Sequence, residues 1–417
     1  MYENGEVMMK NIRLLTLFIV FLIAGCGGGS IKSGGSVTGT FTESTQLKSY
    51  TFDVLQGDSI HFSADSSKQT LLSVYDEGDV LLGTGYNEYY FNSVLETGTY
   101  RVDIVPRYAG NVDKFTLHYA NSTTANEHGE LISDDMLSGT LTSNDLDTYT
   151  LFADTGDSIH LSLGSSQQTY LYVYHPDGSL LGTGYNSFYA NDLSQSGMYR
   201  IVVQGRYAFT VDDYEIHYVN GTTADEHGEL FSGEMVSGSL TSNDLDTFIL
   251  PAVTGDSIHL SLGSAKQTYL YVYNPDGSLL GTGYNGFYAN NLVQNGVYRV
   301  VVQGRFAFTV DNYEFHYANG STANEYGYIS SGSTVLESFT SNDLDSFQIN
   351  AVAGGSFTLT TTGDTQTYLS VYQPDGTSLG NGYNSFSALN LTAAGTYRVV
   401  VQSRYAFATG GYAISLN

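Results

Sequence analysis

The chain has 417 residues, with 15 Lys and Arg against 42 Asp and Glu, a net charge of −27. A surface this acidic repels nucleic acid and anionic lipid headgroups and attracts cations, so DNA or RNA binding is excluded as an expectation. Cys26 is the only cysteine, so the chain holds no disulfide framework of its own.

The first element in chain order is a targeting segment. Met9-Lys10-Asn11-Ile12-Arg13 is basic, and Leu14 to Cys26 is almost wholly apolar. The apolar stretch is too short to span a bilayer, which takes ~20 residues, and suits a secretory signal. It closes on Ile23-Ala24-Gly25-Cys26, which resembles a bacterial lipobox, with Cys26 as the lipidated first residue of the mature chain. Glu3 and Glu6 do not suit a basic leader, so Met1, Met8 and Met9 all stand as possible starts. Cleavage after residue 25 removes two charges of each sign and leaves 13 Lys and Arg against 40 Asp and Glu. Residues 26–37, rich in Gly and Ser, are expected to form a flexible tether to a membrane held through acyl chains. Gly27 after the cysteine resembles the outer-membrane sorting pattern of Gram-negative lipoproteins. The expected location is therefore the bacterial cell envelope.

The remainder is one unit four times over. The stretch SNDLD begins at Ser143, Ser242 and Ser341, and Gly57, Gly156, Gly255 and Gly354 keep the same period of 99 residues. That period is too long for a solenoid repeat and fits an independently folding domain. Expected boundaries are 38–120, 121–219, 220–318 and 319–417, arranged as beads on a string. Within a unit, Ile159, Leu161 and Leu163 alternate with Ser158, His160 and Ser162, and Leu171 and Val173 alternate with Tyr170, Tyr172 and Tyr174. Period two with one polar face is a half-buried strand. His175-Pro176-Asp177-Gly178 reads as a turn, and the stretches from Met198 and Tyr214 read as further strands. Roughly seven or eight short strands per unit and no helical period predict an all-β chain of four tandem β-sandwiches.

The stretch LLGTGYN, at Leu81, Leu180 and Leu279, with SLGNGYN at Ser378, looks like the start of a phosphate loop. Such a loop needs a helix N-terminus behind it, and here another strand follows. The glycines are expected to serve a tight bend or a close strand approach.

Several stretches of the second unit together resemble the bacterial pre-peptidase C-terminal domain. They are SGTLTSNDLDTYTL from Ser138, DTGDSIHLSL from Asp154, YLYVYHPDGSLL from Tyr170 and SGMYRIVVQ from Ser196. ADEHGEL, from Ala224 in the third unit, resembles the acidic lead-in of some members. The resemblance covers the chain beyond the tether. It implies a jelly-roll-like sandwich that serves as an accessory module for binding, secretion or spacing, with calcium at the N-terminal edge of some relatives. Tyr170, Tyr269, Tyr368 and Leu71 stand where relatives often carry an acidic residue, and no protease domain precedes the modules.

Three groups of residues are candidates for function. Asp145 and Asp147, Asp244 and Asp246, and Asp343 and Asp345 are spaced to share a strand face and offer oxygen to one calcium ion. Glu127 and Glu130, or Glu226 and Glu229, would add ligands from the lead-in, and the fourth unit keeps only Glu325. The alternative is a solvated turn. Eight of nine arginines occupy two repeated positions, of which Arg107, Arg206, Arg305 and Arg404 lie beside aromatic residues. With Tyr86, Tyr185, Tyr284 and Tyr383 they suit recognition of an extracellular glycan or protein; an internal pair with Asp212 or Asp213 is the alternative for Arg206. His61, His160 and His259, with His118, His217 and His316, are expected on the exposed strand face, or as cross-strand metal pairs. Nucleophile elbows, His-Glu-x-x-His helices and Cys–His arrangements are missing from the sequence, so no catalysis is expected.

Overall fold

The computed structural model describes residues 28–207, 210–305, 311–405 and 408–417. Cys26 and the segment expected to be a targeting signal lie outside the described residues. The described chain is all-β and contains no helix. It divides into two compact units, Met1–Asn121 and Ser122–Asn417.

The first unit is one sandwich of eight strands. They are β1 (Gly35–Phe41), β2 (Lys48–Val54), β3 (Ile60–Ser66), β4 (Thr70–Tyr75), β5 (Leu81–Tyr86), β6 (Glu88–Phe91), β7 (Gly98–Pro106) and β8 (Asp113–Asn121). One sheet has the order β1-β8-β3-β6 and the other β2-β7-β4-β5. All pairings in both sheets are antiparallel. Inward residues such as Phe52, Phe62, Val74, Val102 and Leu117 make the core between them. Ser30 bridges to Thr51 and Ile31 is buried, so the expected tether to residue 37 ends earlier: the fold already holds residues 30 and 31.

The second unit repeats this arrangement three times, and each sandwich has its own core. The alternation read from the sequence places Ile159, Leu161, Leu163, Leu171 and Val173 inside, as expected. Lead-in residues Glu130–Leu131 add a short parallel strand beside Thr150 and Leu151, and Glu229 and Tyr328 form the equivalent single bridges.

The Gly-rich motif is where the chain changes sheets. β5 belongs to one sheet and β6 to the other, with Asn87 between them at φ 61°. Asn186, Asn285 and Asn384 repeat that left-handed conformation, and each side-chain Oδ1 accepts the backbone N–H of Thr169, Thr268 or Thr367. A Cβ on Gly184 would sit 1.8 Å from the Ser187 carbonyl oxygen. Glycine is needed there because two backbones meet.

Repeats 2, 3 and 4 are not independent beads. The outer face of the His160 sheet packs on the outer face of the next repeat's second sheet, and Val219, Ala224, Leu245, Tyr273 and Val301 form a small core between them. Ala318, Ala323, Leu344, Tyr372 and Val400 do the same between repeats 3 and 4. The expectation of exposed histidines is corrected for four of the six: His160, His259 and His316 are buried at these junctions, and His61 is buried as well. His160 Nε2 lies 3.2 Å from Gln303 Oε1 and its ring stands edge-on to Tyr271 at 4.6 Å. Ser158 Oγ donates to the Gly277 carbonyl at 2.7 Å, so the Pro-Asp-Gly turn of repeat 3 is clasped by repeat 2. Gly277 has φ +83°, and a Cβ there would meet Thr222 Cγ2 at 2.4 Å. The tyrosines on the polar face of the strand Thr169–Tyr174 split: Tyr170 and Tyr172 are partly exposed, whereas Tyr174 and its equivalents Tyr273 and Tyr372 are buried.

Candidate functional site

The arginine–tyrosine cluster is built at one edge of three adjacent strands. In repeat 2, Tyr185 ends the strand Leu180–Tyr185 and pairs in register with Tyr170, which pairs on its other side with Gln204. Arg206 lies two residues on, its backbone N–H held by the Gln168 carbonyl at 2.9 Å. Its guanidinium lies 5.0 Å from the Tyr185 ring centroid and 5.3 Å from that of Tyr207, and Nη1 donates to Gln168 Oε1. Tyr185 donates its hydroxyl to that of Tyr170 at 2.7 Å.

The same cluster recurs on every repeat. Arg107 lies over Tyr86 at 4.7 Å, Arg305 over Tyr284 at 5.1 Å and Arg404 over Tyr383 at 4.9 Å. Gln69, Gln267 and Gln366 take the place of Gln168. Tyr185 is 49 % exposed and Tyr207 59 %, so large aromatic area faces solvent beside a cation. The acidic partners considered for Arg206 are committed elsewhere: Asp212 accepts from Ser166 Oγ and the Gln167 amide, and Asp213 from Thr140 Oγ1. The other arginine set is structural. Arg101 pairs with Asp103 and Asp79, and Arg299 Nε donates to the Ala224 carbonyl at 3.0 Å.

The Asp-x-Asp pairs do not make one site. Asp145 caps a turn: its Oδ2 accepts from the Thr142 amide and hydroxyl, and its Oδ1 from the Leu146 amide. Asp244 and Asp343 cap their turns likewise, and each lies near a histidine of the preceding repeat, Asp244 by His217 at 3.5 Å and Asp343 by His316 at 3.2 Å. Asp147 turns inward. It is buried, and its Oδ2 accepts the Tyr214 hydroxyl at 2.6 Å.

What joins Asp147 is the lead-in. The amides of Glu127 and His128 bond to the Thr148 carbonyl, which sets His128 Nε2 3.3 Å from Asp147 Oδ1 and 3.9 Å from Glu127 Oε2. Repeat 3 repeats this with His227, Asp246 and Glu226 at 3.5 and 3.9 Å. In each trio the three ligand atoms lie within 4.8 Å of one another. Glu130 lies in the short parallel strand and Glu229 in the matching bridge, so both are outside the trios. The histidine was missed as a member, although its recurrence at His128 and His227, with Tyr326 in the fourth copy, was a visible signal.

The titration behaviour follows from this packing. Hydrogen bonding to Asp147 and Asp246 raises His128 and His227, favouring imidazolium. Burial pushes Glu226 up to about 7. In repeat 4, where Tyr326 replaces the histidine, burial pushes Glu325 to about 7 and Asp345 to about 8, and Asp345 Oδ1 is enclosed with no partner among the described residues. Repeat 1 carries Lys48 and Phe115 at the positions of Asp147 and Tyr214, so the carboxylate and its tyrosine are lost together. A cation held at either trio would be bound by one imidazole and two carboxylates. That donor set suits imidazole-tolerant divalent ions as well as calcium, which prefers six to eight oxygens.

No protein-family profile matches the chain, and neither does any curated protein.

Proposed function

We propose that the chain is a non-catalytic binding or adhesion protein of the bacterial cell envelope. Acyl chains on Cys26 would hold it to the membrane, and repeated Tyr–Arg clusters would contact a polysaccharide, a matrix protein or a cell-surface target. The observation that carries this reading is the exposed arginine laid against exposed tyrosine on all four repeats. Arginine and tyrosine are the side chains that dominate binding hot spots, and four weak sites on one chain gain by avidity. The resemblance to pre-peptidase C-terminal domains, which act as accessory modules, supports the same reading. The test is retention of the full chain on arrayed glycans and matrix proteins. It is compared with a variant carrying Arg→Ala at 107, 206, 305 and 404 and Tyr→Ser at 86, 185, 284 and 383. Equal retention of the two would remove the proposal.

A second reading, a cation-stiffened spacer, is favoured by the crowding of carboxylates at Glu226 and Asp246, which a bound ion would relieve. Calcium is the ion expected from the sequence. Calorimetric titration with calcium, and with zinc for the imidazole, tests it: saturable heat lost in His128→Ala/His227→Ala supports the reading, and no heat removes it.

A further inference from the structure

Tyr284 of repeat 3 and Arg404 and Tyr405 of repeat 4 line one groove. Between repeats 3 and 4 runs a groove of about 300 Å³. One wall is the sheet-changing turn of repeat 3, with Tyr284, Asn285 and Tyr288; the other is the strand end of repeat 4, with Gln402, Arg404 and Tyr405. Tyr284 is 54 % exposed and Tyr405 58 %. The groove is therefore composite, and neither repeat forms it alone.

Its chemistry is specific. The Arg404 guanidinium has Tyr383 and Tyr405 against it at 4.9 and 5.6 Å, and Nη1 is taken by Gln366; among the described residues no other partner takes its remaining N–H groups, which are left for a ligand. Asp343, the carboxylate in the lining, is already committed: Oδ2 accepts from Thr340, and Oδ1 accepts from the Leu344 amide and lies 3.2 Å from His316. Ser261 and Ser403 add hydroxyls, and Leu260 and Phe287 add the remaining apolar lining. A groove walled largely by tyrosines and planar hydrogen-bonding groups is a poor match for an aliphatic peptide side chain. It suits a pyranose, whose C–H face stacks on a ring while its rim of hydroxyls meets guanidinium and amide edges. The volume, at the lower end for ligand sites, holds about one or two sugar rings. A net charge of −27 opposes a polyanion, which leaves a neutral glycan.

We propose that the groove between repeats 3 and 4 binds a neutral polysaccharide. A sugar ring stacks on Tyr284 and Tyr405, and its hydroxyls bond to Arg404 and Gln402. This rests on the binding reading above and adds its ligand class and its composite character. One period earlier the sequence carries Tyr185, Asn186, Tyr189, Gln303 and Arg305, the same side-chain types.

The experiment is calorimetry and saturation-transfer NMR on the full chain in detergent, with the neutral hexaoses of cellulose, xylan, mannan, starch and chitin and with hexagalacturonate as the acidic arm. The expected result is millimolar or tighter binding of at least one neutral hexaose. Tyr284→Ser and Arg404→Ala should each weaken it roughly tenfold, the loss expected for one stacking or planar hydrogen-bonding contact. Val400→Asp, which opens the junction without touching either cluster, should weaken it as much. Binding of hexagalacturonate alone, of no hexaose, or with full affinity in Val400→Asp overturns the proposal. If the array retains the full chain while no hexaose binds, the groove fails and the broader binding reading stands.

Discussion

Acidification should loosen the junctions of the second unit, and the size of the effect follows from two histidines. His160 and His259 sit at the two interfaces, and burial holds both at about 4, against an ordinary value of 6.5. Facing His160 are Gln303, Tyr189 and Tyr271; facing His259 are Tyr288 and Tyr372. None of these supplies a negative charge. Both histidines are neutral in the folded state and in the unfolded state above pH 6.5, so neither penalises folding there. Between 6.5 and 4 the unfolded chain takes up the proton and the folded chain does not, so stability falls as pH falls. A difference of about 2.5 units corresponds to about 3 kcal/mol for each histidine. Glu226, Glu325 and Asp345 act with the opposite sign: their raised values make the folded state gain stability as pH falls through 8 to 4. The assay must therefore isolate the histidines. Hydrogen exchange in the strands Gly296–Gly304 and Gly395–Ser403 is followed from pH 7.5 to 4 in the wild type and in His160→Gln/His259→Gln. After correction for intrinsic rates, the wild type should lose protection more steeply, by about 3 kcal/mol per junction. Parallel profiles would refute the argument.

Other substitutions test other links. Val400→Asp places at the junction the residue that repeat 1 carries at Asp103; an unpaired buried charge costs about 3 kcal/mol or more, and small-angle scattering should show the second unit expanding while circular dichroism is unchanged. Asp345→Asn keeps an acceptor for Tyr412 and removes a carboxyl raised to about 8, so the variant should be more stable at pH 8 by up to about 5 kcal/mol. That gain should vanish below pH 4, and an equal melting temperature at pH 8 would count against the burial of Asp345. Gly184→Ala forces a Cβ into the Ser187 carbonyl and should destabilise repeat 2 by several kcal/mol in thermal melts.

Much of the fold was legible because a two-residue alternation written four times leaves little freedom. Ile159, Leu161 and Leu163 could only face a core, and the turn chemistry of Pro176-Asp177-Gly178 fixed the hairpin between its strands. The junctions were harder, because a face covered by another domain also carries polar residues: His160 and Ser162 read as a wet surface and are buried. The clue was in the differences between copies. Thr358 and Ser415 replace the histidines in the fourth repeat, and Asp103 replaces the outward Val301 and Val400. At the acidic edge, spacing along the strand suggested that Asp145 and Asp147 act together. The turn before Leu146 separates them, and Asp147 meets residues of the lead-in some 20 positions away. Spacing along one strand carries no information about such a partner. For the Tyr–Arg cluster, recurrence of both residues in every repeat had singled them out, and it is the Tyr170 strand, paired on one side with Tyr185 and on the other with Gln204, that brings Tyr185 and Arg206 together.

The most direct test of the account is the stepwise removal of that cluster. Arg107, Arg206, Arg305 and Arg404 are changed to Ala one after another in the full chain, and the dissociation rate from a retained target surface is followed by interferometry. Avidity from repeated contacts predicts that each removal speeds dissociation by a further factor of roughly ten, with no step recovered by the remaining clusters. A dissociation rate that stays level through all four substitutions would contradict the assignment of these arginines to binding.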